Sequence, residues 1–200
     1  MTVRIARSFP DTKNVNIFNN LARFPSGKYF GYVDAVIVGG GGNKQFPQDQ
    51  IAAAFTPAAN HTATVIEVAA NDPHLGYGIS GFSLSLNEDD KGVPGKTLLS
   101  AQIPQLPTNG LGFCCDLVIG SIPSGIALHG GEQYWIVLDG QNALSSDAAG
   151  WSTNTVDQVH PFLDATYCAY AGKCVNGVGW HTFQGTLYYS GAAFAVLGSN

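Results

Sequence analysis

Three consecutive carboxylates, Glu88, Asp89 and Asp90, follow an alternating run and precede Lys91-Gly92-Val93-Pro94-Gly95-Lys96. Clustered carboxylate and carbonyl oxygens are what a hard cation such as Ca2+ requires. The spacing departs from the EF-hand loop, and one turn rarely supplies about six oxygen ligands. The leading expectation is therefore a solvated acidic turn, with Ca2+ at Glu88, Asp89 and Asp90 the lesser reading and no other cofactor indicated.

A second group of residues suits sugar chemistry. Trp151, Tyr167, Tyr170 and Trp180 lie near Asn154, Asp157 and Gln158 in a turn-rich stretch. An aromatic ring can stack on the apolar face of a sugar while Asn, Asp and Gln bond its hydroxyls. Trp151, Asn154, Asp157, Tyr170 and Trp180 are the candidate ligand-binding residues. The competing reading makes these rings core that closes the ends of the fold.

The cysteines come as Cys114-Cys115 and as Cys168 with Cys174. Adjacent cysteines on a strand point to opposite faces and do not readily bond to each other. Cys168 and Cys174 flank a short loop that a disulfide would close in an oxidising compartment. Buried free thiols remain the alternative, and metal ligation is least expected, because neither pair has zinc-site spacing. The histidines are scattered without an HExxH pattern, and no GxSxG nucleophile elbow occurs. Asn60-His61-Thr62 fits a glycosylation acceptor but carries little weight alone. With no catalytic constellation in view, a non-enzyme is expected, a hydrolase being the least favoured reading.

The elements that would carry these residues are strands. Phe82, Leu84 and Leu86 alternate with Ser83 and Ser85, and Tyr134, Ile136 and Leu138 alternate with Trp135 and Val137. Such a two-residue period places one face in a core and the other outside. Further strands are expected over Tyr29–Val38, Ile51–Thr56, Ala63–Ala70, Leu117–Ile119, Gln184–Tyr189 and Ala192–Leu197. No window of about 11 residues or more carries a helical period. The expected fold is all-β: a single antiparallel β-sandwich, jelly-roll-like, over residues 29–200. Residues 1–28 are expected to be an irregular N-terminal arm, and Asn142–Gly179 a second irregular stretch.

Composition narrows the classes. Charged residues make up only 12% of the 200 residues, with 25 Gly and 10 Pro, about half the charge usual in soluble domains. A weakly charged surface opposes self-contact poorly, so a homo-oligomer or filament is an expected partner. The net charge is −5, and five of the nine basic residues fall in the first 28 positions (Arg4, Arg7, Lys13, Arg23 and Lys28). That arm lacks the density and aromatic interleaving of a nucleic-acid surface. No run of about 18 apolar residues suggests a membrane span. Met1 to Asn20 has no apolar centre of a secretory signal.

A succession of short motifs resembles a known group. Ala54-Phe55-Thr56-Pro57, the Gly81–Gly95 hairpin, Gln133-Tyr134-Trp135-Ile136-Val137 and the closing Ala193-Phe194-Ala195-Val196-Leu197-Gly198 are similar to the choice-of-anchor domains of exported bacterial proteins. Trp151, Gly179-Trp180 and the vicinal Cys114-Cys115 fit the same pattern. The resemblance implies an exported, extracellular or cell-surface β-sandwich with no catalytic residues to carry over. The absence of a signal and of an anchor helix departs from it, as a mature or excised domain would. The expected function is a non-catalytic structural, adhesive or self-assembling surface component. A glycan-binding module using the aromatic loops is the alternative.

Overall fold

The computed structural model describes residues 1–6, 14–23, 29–30, 35–43, 45–46, 48–73, 79–108, 117–152, 162–166, 179–182 and 191–200. Its first strands are β1 (Thr2–Ala6), β2 (Val15–Asn19), β3 (Ala22–Arg23), β4 (Tyr29–Phe30) and β5 (Ala35–Gly39). Then come β6 (Gln48–Phe55), β7 (His61–Val68), β8 (Ala70–Asn71), β9 (Ser83–Asp90) and β10 (Val93–Gln102). The rest are β11 (Leu117–Leu128), β12 (Tyr134–Asp139), β13 (Ala148–Ser152), β14 (Phe162–Thr166), β15 (Gly179–Thr182) and β16 (Phe194–Ser199). Among the described residues there is no helix.

Two main sheets pack into an antiparallel β-sandwich. One is five-stranded, in the order β1-β11-β7-β16-β2; the other is six-stranded, in the order β10-β9-β12-β6-β14-β15. A three-stranded sheet, β5-β13-β8, and the β3-β4 pair complete the set. The alternation in the sequence explains the layering. Leu84 and Leu86 of β9, Ile51, Ala53 and Phe55 of β6, and Tyr134, Ile136 and Leu138 of β12 enter one core. Ile66, Val68, Val118, Ile122, Phe194 and Val196 meet them from the five-stranded sheet. Each large aliphatic side chain so buried contributes about 1.5–3 kcal/mol.

The chain departs from several expectations. The N-terminal stretch is not irregular throughout: β1 pairs with β11 and β2 with β16, so both finish edges of the five-stranded sheet. Within the expected Tyr29–Val38 strand, β4 and β5 belong to different sheets. Between Asn142 and Gly179 the chain forms β13 and β14.

The acidic hairpin is also tighter than its composition suggests. Glu88, Asp89 and Asp90 lie on β9 itself, and the reversal is confined to Lys91 and Gly92, with φ of 57° and 90°. Left-handed conformations at both central residues define the type I′ turn, whose twist matches antiparallel strands. Pro94 falls within β10, where an edge position excuses its missing N–H.

Candidate functional site

The outer face of the six-stranded sheet carries what the core face excludes. Ser83, Ser85, Asn87 and Asp89 alternate with the buried leucines of β9, and Trp135, Val137 and Asp139 do so on β12. Register lays them side by side: Trp135 opposite Asn87 and Ala54, Val137 opposite Ser85 and Ala52, Asp139 opposite Ser83 and Gln50. Thr97 and Ser100 extend the rows onto β10. The result is a shallow groove of about 260 Å³, floored by hydroxyls and amides.

The floor is organised by its own hydrogen bonds. Ser85 Oγ donates to Asn87 Oδ1 at 2.8 Å, and Asn87 Nδ2 donates to the Gly95 carbonyl and to Thr97 Oγ1, both at 3.0 Å. At the opposite end Gln50 Nε2 donates to Asp139 Oδ2 at 2.8 Å and the Gln141 N–H to Oδ1 at 2.7 Å. A carboxylate offers about four lone-pair sites, so Asp139 keeps acceptor capacity for a ligand.

Trp180 supplies the aromatic wall. It stands on β15, half-buried, and packs against Ala52, Ala54, Trp135 and Val137. Alanines at 52 and 54 matter here, since larger side chains would fill the space the indole rests on. Trp180 also lines the groove itself, placing a ring beside hydrogen-bonding groups.

Behind the Asp139 end lies Asp49, only 2% exposed, with no hydrogen-bond partner for either carboxylate oxygen. Burial, reinforced by the charge of Asp139, pushes its pKa from 3.8 up to about 6. Its own amide and the Gln141 side chain pull it back without closing a hydrogen bond.

The acidic hairpin makes a different use of its carboxylates. Successive residues on a strand face opposite ways, so Glu88 and Asp89 diverge. Asp89 Oδ1 accepts from Trp135 Nε1 and Gln133 Nε2, both at 2.7 Å, and Oδ2 accepts from the Gly92 N–H at 3.0 Å. Burial alone would raise the Asp89 pKa; those three donors, Gly92 foremost, outweigh it and hold the carboxyl below its ordinary value. Glu88 meets Lys96 at 3.7 Å. Asp89 therefore acts as a structural acceptor, and the three acids do not converge on one point.

A second hollow, of about 450 Å³, opens beside Glu88, His129, Glu132 and Tyr134. Its phenol is committed: Tyr134 Oη accepts from the His129 N–H at 3.0 Å and donates to Glu132 at 3.2 Å. Burial raises the Tyr134 pKa, so the phenol stays protonated at neutral pH.

The two tryptophans of the candidate set separate. Trp151 is fully buried; its ring sits edge-on to Phe194, 6.2 Å between centroids, and Nε1 donates to the Ala193 carbonyl at 3.1 Å. It is core, with no ring face left for a ligand, which corrects its place among the platform residues. Asn154, Asp157, Tyr170, Cys168 and Cys174 lie outside the described residues, as do Cys114 and Cys115. Of the aromatic candidates among the described residues, the groove includes Trp180 and not Trp151.

Its other polar members Gln50, Ser83, Ser85, Asn87 and Thr97 were not among the residues singled out from the sequence for a site. Their signal was the polar half of the same alternation that revealed the core. No family model matches the chain, and neither does any curated protein or solved structure.

Proposed function

We propose that the chain is a non-catalytic adhesive β-sandwich that binds a glycan in the groove on the outer face of its six-stranded sheet. The observation that carries this reading is Trp180, a half-buried indole beside a floor of serine, threonine and amide side chains. A pyranose has one apolar face and a rim of hydroxyls. A ring takes the face, and fixed donors and acceptors take the rim. The floor is already tied together by hydrogen bonds, so little side-chain freedom is lost on binding.

The non-catalytic part rests on the carboxylates. Glycoside hydrolysis by two acids needs a facing pair, whereas Asp139 is the only acid among the described residues lining the groove. The similarity of the hairpin and closing strand to choice-of-anchor domains supports placement outside the cell, on an exported protein.

A glycan array probed with the wild-type chain and with Trp180→Ala tests the reading. Binding of a small set of glycans, reduced about tenfold or more by the substitution, is the expected result; a tenfold loss corresponds to about 1.4 kcal/mol, near what one aromatic contact supplies. An array without binding, or with binding indifferent to Trp180→Ala, counts against it.

A further inference from the structure

We infer that the sugar held in this groove carries a protonated amine, with its ammonium against Asp139 and its ring on Trp180; this rests on the glycan reading above. Asp139 is the one ionisable side chain among the described residues that line the groove, and no lysine or arginine joins it there. Gln50 and the Gln141 N–H each occupy one of its oxygens, orienting the carboxylate without neutralising it.

Asp49 sharpens the argument. Its carboxyl is 2% exposed, lacks a hydrogen-bond partner on either oxygen, and feels the charge of Asp139. A buried acid without a partner is costly, and a second acid nearby makes it more so. Among the described residues no cation answers this pair: Lys96 is 75% exposed at its side chain and turns to Glu88. The chain as a whole carries −5, so long-range attraction favours a cation as well.

An ammonium supplies what is missing. Set on Asp139, it relieves the repulsion between the two carboxyls and gains a charge-assisted hydrogen bond. The face of Trp180 adds a cation–π attraction. A neutral sugar offers hydroxyls to the same carboxylate but leaves the charge uncompensated. An acidic sugar meets like charge. The expected order of affinity is amino sugar, then neutral sugar, then uronic acid.

The test is calorimetric titration of the full chain, at low ionic strength, with short oligomers of glucosamine, N-acetylglucosamine, glucose and galacturonic acid. Glucosamine oligomers should bind about tenfold or more tighter than their N-acetylated counterparts. Added salt should erode that preference. Asp139→Asn should bring the two to near parity while neutral oligomers still bind; Asp49→Asn should shrink the preference in part. Equal binding of amine and N-acetyl forms, a preference that survives Asp139→Asn, or equally tight binding of a linear polyamine overturns the inference while leaving the groove a glycan site. Binding of no oligomer overturns both.

Discussion

The indole N–H of Trp135 donates a 2.7 Å hydrogen bond to Oδ1 of Asp89, across paired strands β12 and β9. Trp135 is fully buried although it belongs to the outer face, so its polar atom needs an acceptor brought in from the side. Asp89 is that acceptor, and it also receives Gln133 and the turn N–H of Gly92. One carboxylate thus fastens the type I′ hairpin to the sheet that floors the groove.

Asp89→Ala should destabilise the fold by about 1–3 kcal/mol, the usual effect of stranding a buried donor. Because the folded carboxyl sits below its unfolded pKa, its contribution is present above the unfolded value and lost as pH falls through the folded one. Urea denaturation at neutral pH and at pH about 3 should show the wild-type advantage over Asp89→Ala shrinking in acid. An advantage equal at both pH values contradicts the assignment.

Asp49 has the opposite sign. Its folded pKa of about 6 exceeds the ordinary 3.8, so the folded state holds the proton more tightly than the unfolded chain. The Asp49 contribution to stability is most favourable below 3.8 and declines as pH rises to about 6, beyond which its penalty is complete. Asp49→Asn should flatten that decline and raise stability at neutral pH by about 1–2 kcal/mol. Thermal midpoints across this range decide it; a variant that keeps the wild-type slope excludes Asp49 as its source.

The strand pairing of β16 with β7 leaves no room at Gly198. A methyl group there would press on the backbone carbonyl oxygen of Thr62, with the Ile17 side chain 2.9 Å away on another side. Gly198→Ala should cost about 1–3 kcal/mol, in the range of overpacking. Chemical denaturation that finds the variant as stable as wild type contradicts this packing.

Trp151 and Trp180 should behave differently. Trp151→Ala empties a fully buried site against Phe194 and should cost about 3–5 kcal/mol. Trp180→Ala removes a half-buried ring and should cost about 1 kcal/mol or less while weakening ligand binding. Paired measurements of unfolding and of binding distinguish the two roles; equal stability losses would erase the distinction.

The sequence made the core half of the fold plain and the site half obscure, for a physical reason. Phe82, Leu84 and Leu86, and likewise Tyr134, Ile136 and Leu138, announce a buried face by their period. Serine, threonine and asparagine at the intervening positions look the same whether they floor a groove or merely meet water. Only register, which brings Asp139 beside Gln50 and Ser83, turns them into a site. The edges were hidden too. Val15–Asn19 is short, and its partner β16 lies at the far end of the chain, so no local pattern marks the pairing. The acids of the hairpin read as turn residues, although the positive φ of Lys91 and Gly92 concentrates the whole reversal in two positions. Trp151 and Trp180 were alike as residue types, and burial alone set them apart.

The most direct test of the proposal that this groove binds a glycan is a map of amide chemical shifts as an oligosaccharide is titrated into the isotope-labelled chain. Shifts should concentrate at Ser83–Asn87, Thr97–Ser100, Val137–Asp139 and Trp180, including its indole N–H, and in Trp180→Ala the remaining shifts should need about tenfold or more ligand to develop. Shifts confined to the five-stranded sheet or to the hollow beside Glu132 and Tyr134 would contradict the account.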